Sequence, residues 1–462
     1  MKLFNLTEKE IYDAIDSGDV TVAVYGLGKM GLPLAVIFAN RGLNVIGVDI
    51  NDDIVRMINS GRSPLIDEPG VSDKEINRLI KNGKLEATTD SINAARKADV
   101  IIVIVPSLID ETKNLKLNYV FDAVDAIGKG LTKDCVVITE CTLPPGTTSG
   151  PIKEILEEKS GLRAGIDFGL AHSPERTMSG QVIKNVVEDY PKIVGGINKK
   201  STNVVAAFYR KIVKKGVIAV SDCTTAEAIK VFEGVYRDVN IALANELALL
   251  AEKIGIDIIE AIQGANSQPY SHIHMPGAGV GGHCIPIYPY FLLNLANKHG
   301  LDMKIVYSGR KLNEQMPYHI VDLVIEALNE IEKPVKNSKI GVLGVAYKGG
   351  VKSTYLTPAK PIIEKLKRLG ANIVIYDPLF TKEEIEEEFG VQAVSTMEDV
   401  FKDSDCVVAI TDHKEYLKEK LHECISLMKE KAAIVDGRYI FDMDIVKKKG
   451  KVYLAVGRVM HK

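Results

Sequence analysis

The stretch Pro276–Pro289, PGAGVGGHCIPIYP, sets a histidine and a cysteine side by side behind four glycines. Gly277, Gly279, Gly281 and Gly282 let the backbone turn sharply and approach a ligand closely. They deliver His283 and Cys284. Pro286 follows, and the apolar run from Tyr290 to Asn297 reads as a helix. Proline suits a first helical position, because its missing N–H would be unpaired there anyway. Cys284 is therefore expected at a helix N-terminus, where the dipole favours a thiolate, and a thiolate attacks carbonyls. A glycine-rich turn with a packed cysteine explains the same residues, since free cysteine commonly behaves as a small buried hydrophobe. The rest of the chain has to decide between the two.

A second chemical signal lies near the start. Thr21–Tyr25 (TVAVY) is a β-rich run, followed at once by Gly26-Leu-Gly28-Lys29-Met30-Gly31 and an apolar helical segment, Leu32–Asn40. Asn44–Asp49 (NVIGVD) then reads as a strand ending in an acid 18 residues past Gly31. Glycines at this spacing, between a strand and a helix, permit a tight turn and bring a pyrophosphate to the helix N-terminus. Asp49 is placed to bind a ribose 2′-hydroxyl and to repel a 2′-phosphate, which favours NAD over NADP.

The elements that would position these groups follow from the apolar pattern. Val100–Val105, Val136–Thr139 and Phe168–Ala171 are continuous apolar strands separated by helical stretches, the signature of a parallel, doubly wound sheet. The loops after them, at Pro106-Ser107, at Glu140–Gly146 (ECTLPPG) and at His172–Arg176 (HSPER), fall at the carboxyl edge, where ligands bind. Pro191–Gly196 is expected to close this domain near residue 200. Thr224–Ile254 is the longest helical pattern, with Glu227 in an acidic first turn and Gly255 as a stop. At about 1.5 Å per residue it spans roughly 45 Å, enough to bridge domains and to pack on a symmetry mate. The charged run Glu326–Ser338 reads as a linker, and a second α/β unit follows: strands at Lys339–Tyr347, Asn372–Tyr376, Cys406–Thr411 and Ala432–Asp436, with a helix at Pro358–Leu369. The expected architecture is α/β: two Rossmann-like parallel-sheet domains, residues 1–203 and 331–462, flanking a central helical domain with one long helix, residues 204–330.

Composition excludes several alternatives. A net charge of −3 argues against nucleic acid or an anionic membrane as a bulk partner. No apolar run approaches the roughly 20 residues of a membrane helix. The six cysteines are scattered without a CxxC pair, which points to a reducing cytoplasm and away from disulfides or a thiolate zinc site.

Taken in order, GLGKMG with Asp49, ECTLPPGT, HSPER, KVFEGVYRDVNIALANE, PGAGVGGHCIP, VAYKGG and VDGRY resemble the UDP-glucose/GDP-mannose dehydrogenase family over nearly the whole chain. The resemblance implies a homodimer, or a dimer of dimers, that oxidises the C6 alcohol of a nucleotide sugar to a carboxylate with NAD in two hydride transfers. HSPER and PGAGVGGHCIP look most like family members acting on UDP-N-acetylhexosamines, particularly UDP-N-acetylmannosamine; UDP-glucose and UDP-N-acetylglucosamine or -galactosamine are the alternative substrates. Residue types suit this chemistry. Cys284 would trap the aldehyde as a thiohemiacetal whose oxidation gives a thioester. Lys230 would stabilise the oxyanion, Glu175 would activate the hydrolytic water, and Thr142 would position it. The resemblance assigns these four positions the same roles. It places cofactor contacts at Gly26, Gly28, Lys29, Met30, Gly31, Asp49, Ser107 and Thr142. Substrate contacts fall at Glu175, Arg176, Lys230, Gly279, Gly281, His283, Lys348 and Arg438, with Arg310 a further matching basic group. Taken singly, Lys230 reads as a solvated helix charge, Glu175 as half of a surface ion pair with Arg176, and Thr142 as a turn residue.

The chain departs from the family pattern at four places. The asparagine four residues after the lysine is Gly234, and the aspartate four residues after the cysteine is Tyr288. An arginine before the cysteine loop is replaced by Tyr270, and an acid-acid-x-arginine run reads Ser353-Thr354-Tyr355. The first two suggest that the Tyr288 ring fills space vacated at Gly234 and that its hydroxyl replaces a lost polar contact. Readings of other classes are a metal site of His272, His274, His283 and Cys284, a sugar-nucleotide-binding protein with reduced activity, and a plain two-electron dehydrogenase, which would have no use for Cys284.

Overall fold

The computed structural model describes residues 2–65, 68–110, 112–178 and 180–458. They form two compact units, Met1–Glu233 with Tyr290–His299, and Gly234–Pro289 with Gly300–Lys462.

In the first unit the strands are β1 (Thr21–Tyr25), β2 (Asn44–Val48), β3 (Leu85–Thr88), β4 (Val100–Val103), a short hairpin of β5 (Leu108–Ile109) and β6 (Leu115–Lys116), β7 (Val136–Thr139), β8 (Gly169–His172), β9 (Lys192–Gly196) and β10 (Val217–Ala219). Apart from the hairpin they make one sheet in the order β10-β9-β8-β7-β4-β1-β2-β3. The order reverses between β1 and β4, and the crevice outside that reversal is where open α/β sheets take ligands. Alternate residues of β1 feed two cores. Val22 and Val24 pack with the helices Gly31–Asn40 and Lys199–Ile212, while Ala23 and Tyr25 pack with the helix Asn118–Gly130. Coverage on both faces is why β4 (VIIV) and β7 (VVIT) are buried along their whole length.

Two features differ from the sequence expectation. β9 runs antiparallel to β8, and β10 lies parallel to β9 beyond residue 200, so the sheet continues past the point where it was expected to close. β10 is only three residues long and mostly exposed, too short and too wet to leave an apolar pattern.

The second unit carries β11 (Lys339–Leu343), β12 (Asn372–Tyr376), β13 (Gln392–Ala393), β14 (Cys406–Ala409), β15 (Ala433–Asp436) and β16 (Val452–Ala455). All neighbours are parallel, in the order β13-β12-β11-β14-β15-β16. The helix Cys223–Ile254, of 32 residues, enters this unit at Gly234 and is met by a 27-residue helix, Lys304–Glu330. Ile320, Val324 and Ala327 of the second helix pack with Ile340, Val342 and Val435 of the sheet. The segment 326–338 is therefore no linker at its start. Ala327 and Leu328 are fully buried and Ile331 nearly so, while Glu326 and Glu330 are the solvent side of the same helix.

A buried polar seam joins the two long helices. Arg310 Nη1 donates to Asp238 Oδ1 at 2.7 Å, Asn313 Nδ2 donates to the same oxygen at 2.9 Å, and Asn245 Nδ2 donates to Asn313 Oδ1 at 2.9 Å. Asn245 Oδ1 accepts from Gly277 N at 2.9 Å, so the seam also fixes the start of the cysteine loop. Arg310 is 2% exposed. Its guanidinium is committed to Asp238, which removes it from the basic groups available to a diphosphate.

Candidate functional site

The glycine turn in the first unit divides its work among three positions. Gly26 has φ +97°, and a Cβ there would lie 2.7 Å from Ile104 O. A Cβ at Gly31 would lie 1.8 Å from Gly26 O, so only glycine lets the helix Gly31–Asn40 start this close to the strand. At Gly28 a Cβ would meet nothing within 4 Å among the described residues. The middle glycine thus leaves open the space through which a pyrophosphate reaches a helix N-terminus. Asp49 Oδ2 accepts from Leu27 N at 2.8 Å and its Oδ1 from Asn51 N at 2.9 Å. The carboxylate is half-buried at the end of β2, with lone pairs left for a ribose diol. Lys29 is exposed and Met30 half-buried beside it. These residues fit a dinucleotide.

Across the sheet reversal, the loop after β7 is anchored from below. Glu140 is fully buried; Lys192 Nζ lies 2.5 Å from its Oε2, and Tyr209 Oη donates to its Oε1. Ser107 Oγ donates to Thr142 O at 2.6 Å, which puts these two sequence-assigned residues together. Glu175 N donates to Glu140 O at 3.1 Å, so one strand end positions both Thr142 and Glu175. The Glu175 carboxylate accepts from Thr177 N. Arg176 donates from Nη2 to Pro191 O at 2.9 Å and pairs with Glu233 at 3.6 Å, so its charge is directed to Glu233. His172 is buried with Nδ1 2.8 Å from Thr139 Oγ1, and burial pushes its pKa down to about 3, leaving a neutral ring. Lys230 lies half-buried on the first turns of the long helix, three residues after Glu227. Sequence reading missed Lys192 and Tyr209 altogether, because each looks like an ordinary strand or helix residue until Glu140 is placed between them.

In the second unit the cysteine loop turns at Gly279 (φ +128°) and Gly282 (φ +97°). A Cβ at Gly281 would lie 2.5 Å from Leu356 O, and one at Gly282 would lie 2.6 Å from the Tyr347 ring. Gly282 N donates to Tyr355 O at 3.0 Å. His283 stacks on Tyr355 with centroids 4.1 Å apart and planes 5° from parallel, and meets Tyr347 edge-on at 6.5 Å. Cys284 is exposed, whereas Cys135, Cys141, Cys223, Cys406 and Cys424 are buried. Burial raises the Tyr347 pKa, and the Cys284 sulfur raises it further.

Cys284 does not occupy the first helical turn. The helix runs Tyr288–Lys298, and Cys284 O accepts from Ile287 N and Tyr288 N, both at 3.1 Å, in the turn before it. Pro286 sits inside that turn rather than opening the helix. Tyr288 packs where expected: a Cβ at Gly234 would lie 2.2 Å from Tyr288 Cδ2. Lys348 is exposed. Arg438 donates from Nε to Ile410 O at 2.9 Å, with Nη1 3.3 Å from the place a Gly277 Cβ would take. Tyr270 is 92% exposed. Among the described residues no three His, Cys, Asp or Glu side chains gather as a metal site, so His272, His274, His283 and Cys284 do not form one.

Sequence profiles of the UDP-glucose/GDP-mannose dehydrogenase family match three segments: the NAD-binding domain over residues 20–213, the central domain over 224–315 and the UDP-binding domain over 341–443. The chain belongs to that family. It is 37% identical over 437 residues to a UDP-N-acetyl-D-mannosamine dehydrogenase of Pyrococcus horikoshii, covering 95% of this chain and 99% of that one. The solved Pyrococcus horikoshii UDP-D-ManNAc dehydrogenase superposes with a TM-score of 0.86 at 36% identity, over 95% of this chain and 99% of that one. An NDP-N-acetyl-D-galactosaminuronic acid dehydrogenase of Methanosarcina mazei superposes with a TM-score of 0.83 at 30% identity over 100% of both chains. By family the chain is a nucleotide-sugar dehydrogenase whose first sheet takes a nicotinamide dinucleotide. Among the described residues no helix is long and apolar enough to cross a membrane.

Proposed function

We propose that the chain oxidises the C6 primary alcohol of UDP-N-acetyl-D-mannosamine to the uronate, using two NAD per sugar. The observation that carries this reading is an exposed cysteine on a glycine loop, in a chain that also holds a dinucleotide turn open at Gly28. The relatives named for UDP-N-acetyl-D-mannosamine support the choice of sugar. Asp49 favours NAD, because its carboxylate would repel a 2′-phosphate.

Held by Gly26, Gly28, Gly31 and Asp49, NAD would supply the hydride acceptor for both oxidations at C6. The first oxidation passes the hydroxyl proton to solvent water and the C6 hydride to the dinucleotide, and leaves an aldehyde. The Cys284 thiolate adds to the aldehyde carbon, forming a C–S bond and an alkoxide, the thiohemiacetal. Lys230 offsets the alkoxide charge. Loss of the second hydride restores the C=O bond and gives a thioester. Glu175 takes a proton from water held by Thr142. The hydroxide adds to the carbonyl, the C–S bond breaks, and the thiolate leaves as the carboxylate forms. Lys348 and Arg438 hold the diphosphate, while Gly279, Gly281 and His283 shape the sugar contact. The long helix bears exposed Tyr236, Leu243, Leu250 and Ile254 at heptad-like spacing; we assign this stripe to a homodimer contact.

Cys284→Ser should lower uronate formation by about 1,000-fold while the NAD dissociation constant stays within about twofold, since that residue lies outside the dinucleotide turn. The wild-type protein should form two NADH per sugar. One NADH per sugar, or full uronate yield from the serine variant, would refute the mechanism.

A further inference from the structure

The loop that carries Thr142 is held at its far end by a carboxylate to which the reaction above assigns no role. Glu227 is fully buried on the long helix. Its Oε2 accepts from Gly146 N at 2.6 Å and its Oε1 from Thr148 N at 2.7 Å. The two donors sit two residues apart, so a single carboxylate spans the turn and fixes its orientation as well as its position. Between that turn and Thr142 stand Pro144 and Pro145, whose fixed φ leaves little slack. Pro144 O is in turn bonded by Thr147, through N at 3.1 Å and Oγ1 at 2.6 Å. Thr148 continues inward to Thr139 Oγ1 at 2.8 Å, which reaches His172. On its other side, Glu227 precedes Lys230 by three residues, and i, i+3 residues share one helix face.

We propose that Glu227 is a positioning residue, whose carboxylate locks the Gly146–Thr148 turn, and through it Thr142, to the helical face that presents Lys230. A serine or threonine would cap one N–H; only a carboxylate or a carboxamide has two acceptor positions' reach, and a carboxamide offers one oxygen. Burial pushes the Glu227 pKa up to about 7, against the lowering effect of the Thr148 and Gly146 hydrogen bonds. The Cys141 and Cys223 thiols that feel its charge are themselves pushed up to about 12, and Glu140 beyond them is tied to Lys192. Proton uptake by Glu227 weakens its hold on these N–H groups, so the turn is expected to loosen as pH falls towards the raised pKa.

The inference leans on the dehydrogenase reading only for its kinetic readout, and hydrogen exchange tests it without substrate. In the wild-type protein the exchange protection factor of the amides of residues 143 and 146–150, corrected for intrinsic rates, should rise several-fold between pH 6 and 8.5. Glu227→Gln should flatten that rise and lower protection about tenfold. It should also lower kcat about tenfold with the KM for NAD within about threefold, and Glu227→Asp should recover part of both. Unchanged protection in Glu227→Gln overturns the proposal. So does a glutamine variant that loses NAD affinity and thermal stability together, since that is a folding role. If Glu227→Gln does not fold, Glu227→Asp decides in its place: its shorter carboxylate should lower protection of the turn, and unchanged protection overturns the proposal. If no UDP-sugar is oxidised by the wild type, the functional reading fails while the exchange result still judges Glu227.

Discussion

The two sheets share the strand order around their first strand, yet their first loops are built for different tasks. In the first unit five residues, 26–30, separate β1 from its helix. In the second, β11 ends at Leu343 and the helix begins only at Ala359. The acids after the second strands differ as sharply. Asp49 keeps part of its surface open, whereas Asp377 is 1% exposed. Asp377 Oδ2 accepts from Val345 N at 2.8 Å, Ala346 N at 3.1 Å and His413 Nε2 at 3.0 Å, and its Oδ1 accepts from Leu379 N at 3.0 Å. His413 Nδ1 accepts from Gly350 N at 3.2 Å, which puts the ring proton on Nε2. The acid after the second strand thus keeps part of its surface open in the first unit and pins its own loop in the second. The pinned loop projects Tyr347, Lys348 and Tyr355, and two of these rings meet His283 of the cysteine loop.

The strongest way to break this contrast is at Asp377. Asp377→Asn removes a buried charge from four donors and should destabilise the second unit by about 3 kcal/mol, read as a shift in denaturant midpoint, with NAD affinity unchanged. Burial alone would raise this carboxyl, but hydrogen bonds from His413 and the backbone outweigh it and hold the pKa below its ordinary value. A lowered folded-state pKa gives stability that is present above the unfolded value and is lost as pH falls through the folded one. The wild type should therefore lose stability below about pH 4, and the asparagine variant should not share that slope. A variant that weakens NAD binding would erase the division of labour.

In the first unit the expected losses are of binding, not stability. Gly28 has open space around a would-be Cβ, so Gly28→Val should leave the melting temperature unchanged. It should weaken NAD binding on the order of 100-fold, because the side chain fills the path of the pyrophosphate. An NADH fluorescence titration checks it. If affinity survives, the dinucleotide does not cross this turn. Asp49→Ala should cost about tenfold in NAD affinity and narrow the preference over NADP. Equal affinities before and after would move the ribose elsewhere.

The contrast also shows which parts of the chain were legible. Gly26, Gly28 and Gly31 lie between a strand and a helix, and the structure turns at Gly26 and packs the helix start closely at Gly31, as a tight glycine turn there implies. Strands β4 and β7 are apolar throughout because both faces are covered, so their pattern is unambiguous. What stayed hidden depends on distant partners. Arg310 looks like a free cation until Asp238, 72 residues away, is folded onto it. Glu227 looks like a first-turn acid favoured by the helix dipole, and only burial against Gly146 and Thr148 makes it a clamp. The packing of Tyr288 on Gly234 was legible because two departures at matched positions imply one exchange of volume. Cys284 does lie just before a helix, with its carbonyl accepting from Tyr288 N, but the helix opens two residues after Pro286, which sits within the preceding turn.

The smallest expected effect tests whether the second loop is held only by its acid. Gly350 has φ +73°, a conformation that costs an L side chain, although a Cβ there meets nothing within 4 Å among the described residues. Gly350→Ala should therefore lose about 1 kcal/mol through backbone strain alone, or about 2–4 °C in melting temperature for a unit of this size. The Gly350 N to His413 Nδ1 bond stays available, so the loop keeps its latch, and Cys284 should alkylate at the wild-type rate. NAD affinity should not change. A larger loss, accompanied by faster alkylation of Cys284, would mean that Gly350 and not Asp377 sets the loop. The second sheet would then hold its loop as the first holds its own, by glycine geometry.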